Sequence, residues 1–327
     1  MAVMTYIEAV TQALLEEMHK DKRVFVLGED VGVRGGVFRA TQGLYEEFGE
    51  QRVIDAPLAE SAIAGVAIGA AAYGMRPVAE MQFADFIMPA VNQIVSEAAK
   101  MRYRSNGDWN CPLVVRAPYG GGVHGALYHS QSVEAMFCNT PGLKVVAPST
   151  PYDVKGLLKA AIRDEDPVLF FEHKRCYRLI KGEVPDTDYT VPIGKADVKR
   201  EGTDITVISY GLTLHFALQA AEKLAQDGYS SHILDLRTLY PLDKESIIQA
   251  ARKTGKVLII HEDNKEGGVG GEVAAVVAEE CLFELDAPIK RLCGPDVPAM
   301  PYSPPMEKFF MLNPDKVYTA MKELAEF

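Results

Sequence analysis

Short apolar runs of strand length alternate with helix-length segments along nearly the whole chain, and this order restricts the fold more than any other feature. The runs at residues 24–27, 52–55, 77–82, 113–116, 143–147 and 168–172 are mostly continuous, as expected for strands buried on both faces. Helical segments lie between them. Residues 5–18 open with a Thr5/Glu8 capping box, and Ile7, Val10, Leu14 and Met18 form an apolar face. Further helices are predicted at 41–48, 62–73 and, as one long element, 84–104. Another follows Ser149/Thr150, with Pro151 in its first turn. A mostly parallel sheet covered by helices on both faces satisfies that order. A polar stretch from 173 to about 195, with Gly182, Pro185 and Pro192, reads as a connector. Beyond it, strands are predicted at 205–209, 232–236, 256–261 and 289–293, and helices at 213–226, 243–253, 272–281 and 314–326. The proline-rich residues 294–305 are expected to cover part of this second unit. The predicted organisation is two α/β domains, 1–190 and 191–327.

Composition removes several function classes. The 327 residues suffice for two domains, and 48% hydrophobic with 24% charged residues is a globular balance. A net charge of −11 argues against a nucleic-acid surface, which needs a basic face. No apolar run approaches the roughly 20 residues that cross a bilayer. The first eight residues carry neither a signal-peptide core nor an Arg/Ser-rich transit segment, so the expected compartment is the cytoplasm. Cys111, Cys138, Cys176, Cys281 and Cys293 are odd in number, with no Cys-x-x-Cys, which suggests reduced thiols rather than disulfides or zinc.

Two stretches are candidates for chemistry. The strand at 52–55 runs through Pro57 into a helix opened by Glu60 and Ser61. A carboxylate there has a simple reading as a helix-terminal cap. The helix itself is built from small residues (Ala62, Ala64, Gly65, Ala67, Gly69), so another backbone can approach it closely. The second stretch is the loop after strand 113–116, with Gly120, Gly121, Gly122, His124, Gly125 and His129. Loops at the carboxyl ends of parallel strands are where such sheets bind ligands. Either histidine can equally be a hydrogen-bonded loop residue. Two histidines five apart without a cysteine do not make a zinc spacing. Neither 31–36 nor 266–272 matches the dinucleotide glycine pattern.

Several strings carry a resemblance to a known family. Gly28-Glu-Asp-Val-Gly32, Pro57-Leu-Ala-Glu-Ser61, Glu80-Met-Gln-Phe-Ala-Asp-Phe86, His124-Gly-Ala-Leu-Tyr-His129-Ser-Gln-Ser132, Pro148-Ser-Thr-Pro151 and Leu234-Asp-Leu-Arg-Thr238 with Pro241-Leu-Asp243 resemble the β subunit of a 2-oxoacid dehydrogenase E1 component. The similarity runs from Met4 to Phe327, and 82–89 with 124–132 looks most like the branched-chain members. Pyruvate- and acetoin-specific relatives share the scaffold. The resemblance implies a thiamine-diphosphate-fold pyrimidine domain followed by a transketolase C-terminal-like domain. It also implies a heterotetramer of two α and two β subunits, with thiamine diphosphate between α and β. It further implies an E2 acyltransferase as partner through its subunit-binding and lipoyl domains.

The resemblance also assigns roles. Glu60 matches the glutamate that hydrogen-bonds the aminopyrimidine, Phe86 the aromatic stacked on it, and Leu58 and Gln82 its pocket. His129 matches the histidine of acyl transfer to the lipoyl group, while His124 reads as structural. The backbone carbonyls of Leu113, Ala161, Asp164 and Asp166 resemble a structural potassium site. The Gly-Asp-Gly…Asn pattern that holds diphosphate and Mg2+ in such enzymes is absent: the Gly107-Asp108 pair is followed by Trp109. That half of the site is therefore expected on the α subunit, and this chain alone is expected to be inactive. Two other readings are a self-sufficient thiamine enzyme, which the missing pattern opposes, and a non-catalytic α/β binding subunit such as a flavoprotein.

Overall fold

The computed structural model describes residues 2–327. They divide into two compact units, one extending to Tyr119 and including Met136–Ile193, the other comprising Gly120–Ala135 and Gly194–Phe327. Residues 120–135, which the sequence reading assigned to the first domain, thus group with the second.

In the first unit β1 (Ala2–Thr5) leads into α1 (Tyr6–Lys20), with the predicted Thr5/Glu8 capping box formed. Then come β2 (Val24–Gly28), α2 (Leu44–Phe48), β3 (Val53–Asp55), α3 (Glu60–Ala72) and β4 (Arg76–Glu80). The predicted long helix at 84–104 is broken instead. It consists of 3-10 turns at Ala84–Phe86 and Met88–Ala90, a π segment at Gln93–Ala98, and α4 (Met101–Arg104). Pro89 has no N–H to donate and restricts its own backbone, which disfavours a regular helix through this stretch. β5 (Val114–Tyr119) follows, and the boundary between the units falls within α5 (Glu134–Cys138). The unit is completed by β6 (Lys144–Val146), α6 (Pro151–Arg163), β7 (Val168–His173), α7 (Cys176–Leu179) and β8 (Lys181–Val184). Thr150 caps α6 through the Asp153 N–H. The central strands run parallel in the order β6-β7-β5-β4-β2-β3. Every residue of β2, β5 and β7 is buried, which accounts for their mostly apolar runs. The supposed connector from 173 contains α7 and β8, and β8 pairs antiparallel with β1. Neither of these short, half-exposed strands has an alternating pattern long enough to read.

In the second unit the order is β9 (Asp197–Arg200), β10 (Ile205–Ser209), α8 (Leu212–Gln226), β11 (Ser231–Asp235), β12 (Thr238–Tyr240), α9 (Lys244–Thr254) and β13 (Val257–Asn264). It continues with α10 (Val269–Cys281), β14 (Lys290–Gly294), α11 (Pro304–Phe310) and α12 (Pro314–Ala325). The sheet runs β14-β13-β10-β11-β9, parallel except for β9. Strands β9 and β12 and helix α11 were not predicted. Asp243 caps α9, and its carboxylate also accepts the Ala196 N–H, fixing the start of the unit. No helix among the described residues is long and apolar enough to cross a membrane.

Candidate functional site

Four of the predicted site residues lie in the first unit, around the carboxyl ends of β3 and β4. Glu60 is the first residue of α3, only 8% exposed. It is not a side-chain cap: Ala59 occupies the cap position, and no side chain closes the helix end. Among the described residues, no hydrogen-bond or ion-pair partner is seen for the Glu60 carboxylate. A buried carboxyl without a donor is costly unless something else meets it. Leu58, on the turn before α3, is fully open at 81% exposure, and Gln82 and Phe86 are half-buried. The Phe86 ring is fixed edge-on by Phe83, with centroids 5.5 Å apart, and Phe83 in turn by Phe38 at 5.3 Å. α3 packs on the turns that follow Phe86.

Sequence reasoning missed a second carboxyl beside this one. Glu29, just after β2, is 7% exposed, and its Oε1 is buried without a partner. Burial raises its pKa first, and the nearby charges of Glu60 and Asp30 raise it further. The available signal was its place in the Gly28–Gly32 string at a strand's carboxyl end. Gly28 is required there, since a Cβ would lie 2.7 Å from the Glu80 carbonyl. Behind this layer sits a buried ion cluster. Arg116 holds Glu172 through Nε at 2.6 Å and Nη2 at 2.7 Å and reaches Glu80 through Nη1, while the Tyr177 hydroxyl donates to Glu172 at 2.6 Å.

An unpartnered carboxyl, its acidic neighbour and a fixed aromatic ring fit the aminopyrimidine half of thiamine diphosphate. No group of three or more His, Cys, Asp or Glu side chains suited to a metal occurs among the described residues. The residues of the suggested potassium site make these contacts within the chain. Leu113 and Ala161 carbonyls accept the Val168 and Asp164 N–H groups, and the Arg76 guanidinium donates to the Ile162 and Asp164 carbonyls at 2.9 Å. The Asp164 carboxylate holds Lys144, and Asp166 holds Arg102 and Lys144. Basic side chains thus meet the Asp164 carbonyl and the Asp164 and Asp166 carboxylates.

His129 belongs to the second unit, in the loop Gly120–Ala135. It is half-buried and follows a 3-10 turn at Ala126–Tyr128. Three carboxyls from elsewhere in the sequence or the loop's own end hold this segment. Glu262 accepts the Gly121 N–H at 2.5 Å, and Glu307 accepts those of Gly122 and His124 at 3.2 Å and pairs with the His124 ring. His124 is thus tied to Glu307 through both its N–H and its ring. Glu134 is fully buried and accepts from the Tyr210 hydroxyl at 2.8 Å. Burial, with Asp263 and Glu262 close by, pushes its pKa up to about 8. Behind Tyr210 lies the buried His261 ring, whose pKa desolvation lowers to about 4. A cavity of about 70 Å³ lined by Ser130, Gln131, Glu262, Asp263 and Met300 adjoins the loop.

Comparison with known proteins gives concordant matches. The transketolase pyrimidine-binding-domain family matches residues 2–180, and the transketolase C-terminal-domain family matches 194–317. The chain is 77% identical over 327 residues to the 2-oxoisovalerate dehydrogenase subunit beta of Bacillus subtilis, covering 100% of both chains. It is 48% identical over 324 residues to the pyruvate dehydrogenase E1 component subunit beta of the same organism, covering 99% of each. A solved split-gene transketolase, described as an inactive beta4 tetramer, superposes with a TM-score of 0.79 at 25% identity, covering 99% of this chain and 98% of its own.

Proposed function

Since the chain belongs to the E1-component β subunits of 2-oxoacid dehydrogenases, built on the transketolase fold, we propose that it is the β subunit of a branched-chain 2-oxoacid decarboxylase. The observation that carries the substrate choice is the 77% identity over full length to a 2-oxoisovalerate dehydrogenase subunit, against 48% to a pyruvate-specific one. Its partner is an α subunit in a heterotetramer of two α and two β chains, which supplies the groups for diphosphate and Mg2+. Activity requires that partner. The cytoplasm is the compartment we assign.

Thiamine diphosphate, when bound, would supply the nucleophilic carbon for decarboxylation of a 2-oxoacid. Glu60 holds a proton at the ring nitrogen of the aminopyrimidine, and its carboxylate, 8% exposed and without a partner among the described residues, is open to that bond. Glu29, buried beside it, is a second acidic group at this point. Phe86 offers its face to the pyrimidine, and Leu58 and Gln82 line the approach. Exposed as it is, Leu58 makes its contacts with the partner subunit. His129 delivers a proton to the sulfur of the lipoyl dithiolane during acyl transfer.

Transfer requires docking of the E2 chain. Leu282 and Phe283 are 59% and 98% exposed, within the acidic run Glu279, Glu280, Glu284 and Asp286. Phe327 belongs to the same edge: Lys256 donates to the Ala325 carbonyl, and the neighbouring Gly255 carbonyl accepts the Asp286 N–H. An apolar centre with an acidic rim suits a small basic domain.

The test is co-expression with an α subunit and decarboxylation of 3-methyl-2-oxobutanoate and pyruvate in the presence of thiamine diphosphate and Mg2+. We expect preference for the branched acid. Preference for pyruvate would retain the family and overturn the substrate; no activity on any 2-oxoacid, in an assembled complex, would overturn the reading.

A further inference from the structure

The loop that carries His129 follows a backbone path that most side chains avoid, and the group holding it comes from the far end of the sequence. His124 and Ala126 both have positive φ, 57° and 54°. Between them, Gly125 lies directly under His129: a Cβ there would meet the His129 carbonyl oxygen at 2.7 Å and its Cβ at 2.8 Å. The conformation of residues 124–126 therefore sets where the His129 backbone runs.

Glu307, on α11, is 3% exposed. Its Oε1 accepts the N–H groups of Gly122 and His124, and its Oε2 meets Nδ1 of His124. A carboxylate is taken out of water only where donors meet it, and these donors all belong to the loop. Glu262 adds the Gly121 N–H one residue earlier. The helix α11, which begins at the end of the proline-rich segment, thus brings in the side chain that closes on the histidine loop.

We propose that Glu307 is a positioning residue for acyl transfer: by fixing His124 in the left-handed conformation, it presents His129 to the lipoyl group. The inference rests on the role for His129 proposed above. It separates two activities of the enzyme, because Glu307 acts through this loop and not through Glu60.

The experiment compares Glu307→Ala, Glu307→Gln, Gly125→Ala and His129→Ala in the assembled complex with α. Two rates are read: decarboxylation with an artificial electron acceptor, and acylation of a free lipoyl domain. Misplacing a reacting group by about 1 Å can cost about 100-fold. Glu307→Ala is expected to slow acylation by roughly 10- to 100-fold and leave decarboxylation within about twofold. Glu307→Gln, which keeps an acceptor for both N–H groups, is expected to restore acylation to within about threefold of wild type. Gly125→Ala leaves Glu307 in place but displaces His129, and is expected to give the same selective loss. That variant decides the matter if Glu307→Ala does not assemble. Normal acylation in Glu307→Ala or Gly125→Ala beside a defective His129→Ala would overturn this inference alone. Normal acylation in His129→Ala would overturn the reading on which it rests.

Discussion

Replacing Arg116 by Met should destabilise the first unit strongly, and in a pH-dependent way. Arg116 is fully buried, and among the described residues its guanidinium is the sole cationic partner of two buried carboxylates, Glu80 at 3% exposure and Glu172 at 0%. Methionine matches the aliphatic stem but leaves both charges without a counterion. Removing one member of a buried ion cluster typically costs about 3–5 kcal/mol. Burial already raises the Glu80 pKa, with Arg116 opposing that shift. Without the arginine, the Glu80 carboxyl moves further above its unfolded value. A group whose folded pKa is raised contributes stability below the unfolded value and loses it as pH rises through the folded one. The Arg116→Met defect is therefore smallest near pH 5 and grows toward pH 8, with a slope of up to about 1.4 kcal/mol per pH unit for each carboxyl titrating in that range. The assay is urea unfolding at pH 5, 6.5 and 8, with hydrogen exchange of β4, β5 and β7 locating the effect. The triple variant Glu80→Gln, Arg116→Met, Glu172→Gln should recover at least half of the loss, because no charge remains buried. A loss below about 1 kcal/mol, or one that is flat from pH 5 to 8, would refute the reasoning.

Three other outcomes follow from the same geometry. Glu134, whose pKa burial and then Asp263 and Glu262 raise to about 8, stabilises the second unit most at low pH, an effect lost as pH rises through that value; Glu134→Gln should flatten the fall in thermal stability between pH 5 and 8, and an unchanged slope would exclude Glu134 as its source. Gly142 has φ 101°, and a Cβ there would lie 1.9 Å from the Ala99 carbonyl oxygen, so Gly142→Ala should cost more than about 3 kcal/mol or prevent folding, as equilibrium unfolding or soluble yield would reveal. If the acidic edge docks E2, titration calorimetry should find that Phe283→Ala weakens binding at least about tenfold, and that raising the salt from 0.05 to about 0.5 M weakens it further; salt-insensitive binding would count against the charge-based part of the contact.

What could be read in the sequence was local. The buried strands announced themselves as mostly apolar runs because parallel strands are covered on both faces. The capping box at Thr5 and the Thr150-Pro151 helix start were also legible, since both are contacts within one turn. Glu60 stood out only through its motif, as nothing in its spacing distinguishes it from a cap. The supports of the site were not legible. Glu307 meets Gly122 across 185 residues, and Glu172 meets Arg116 across 56, separations that no periodicity reports. The break in the 84–104 helix was signalled by Pro89, but nothing in the local pattern announces the π segment, which packs against α3. Strands β1 and β8 were too short to show a period.

The most direct measurement concerns Glu60. The Glu60→Gln chain, assembled with α, is assayed for thiamine diphosphate binding by fluorescence quenching and for decarboxylation of 3-methyl-2-oxobutanoate. If Glu60 holds the proton at the aminopyrimidine, binding should change by less than about tenfold while kcat falls at least about 100-fold, the size expected for loss of a proton-handling group. Near wild-type kcat would contradict the account and leave Glu60 as no more than the first residue of a helix.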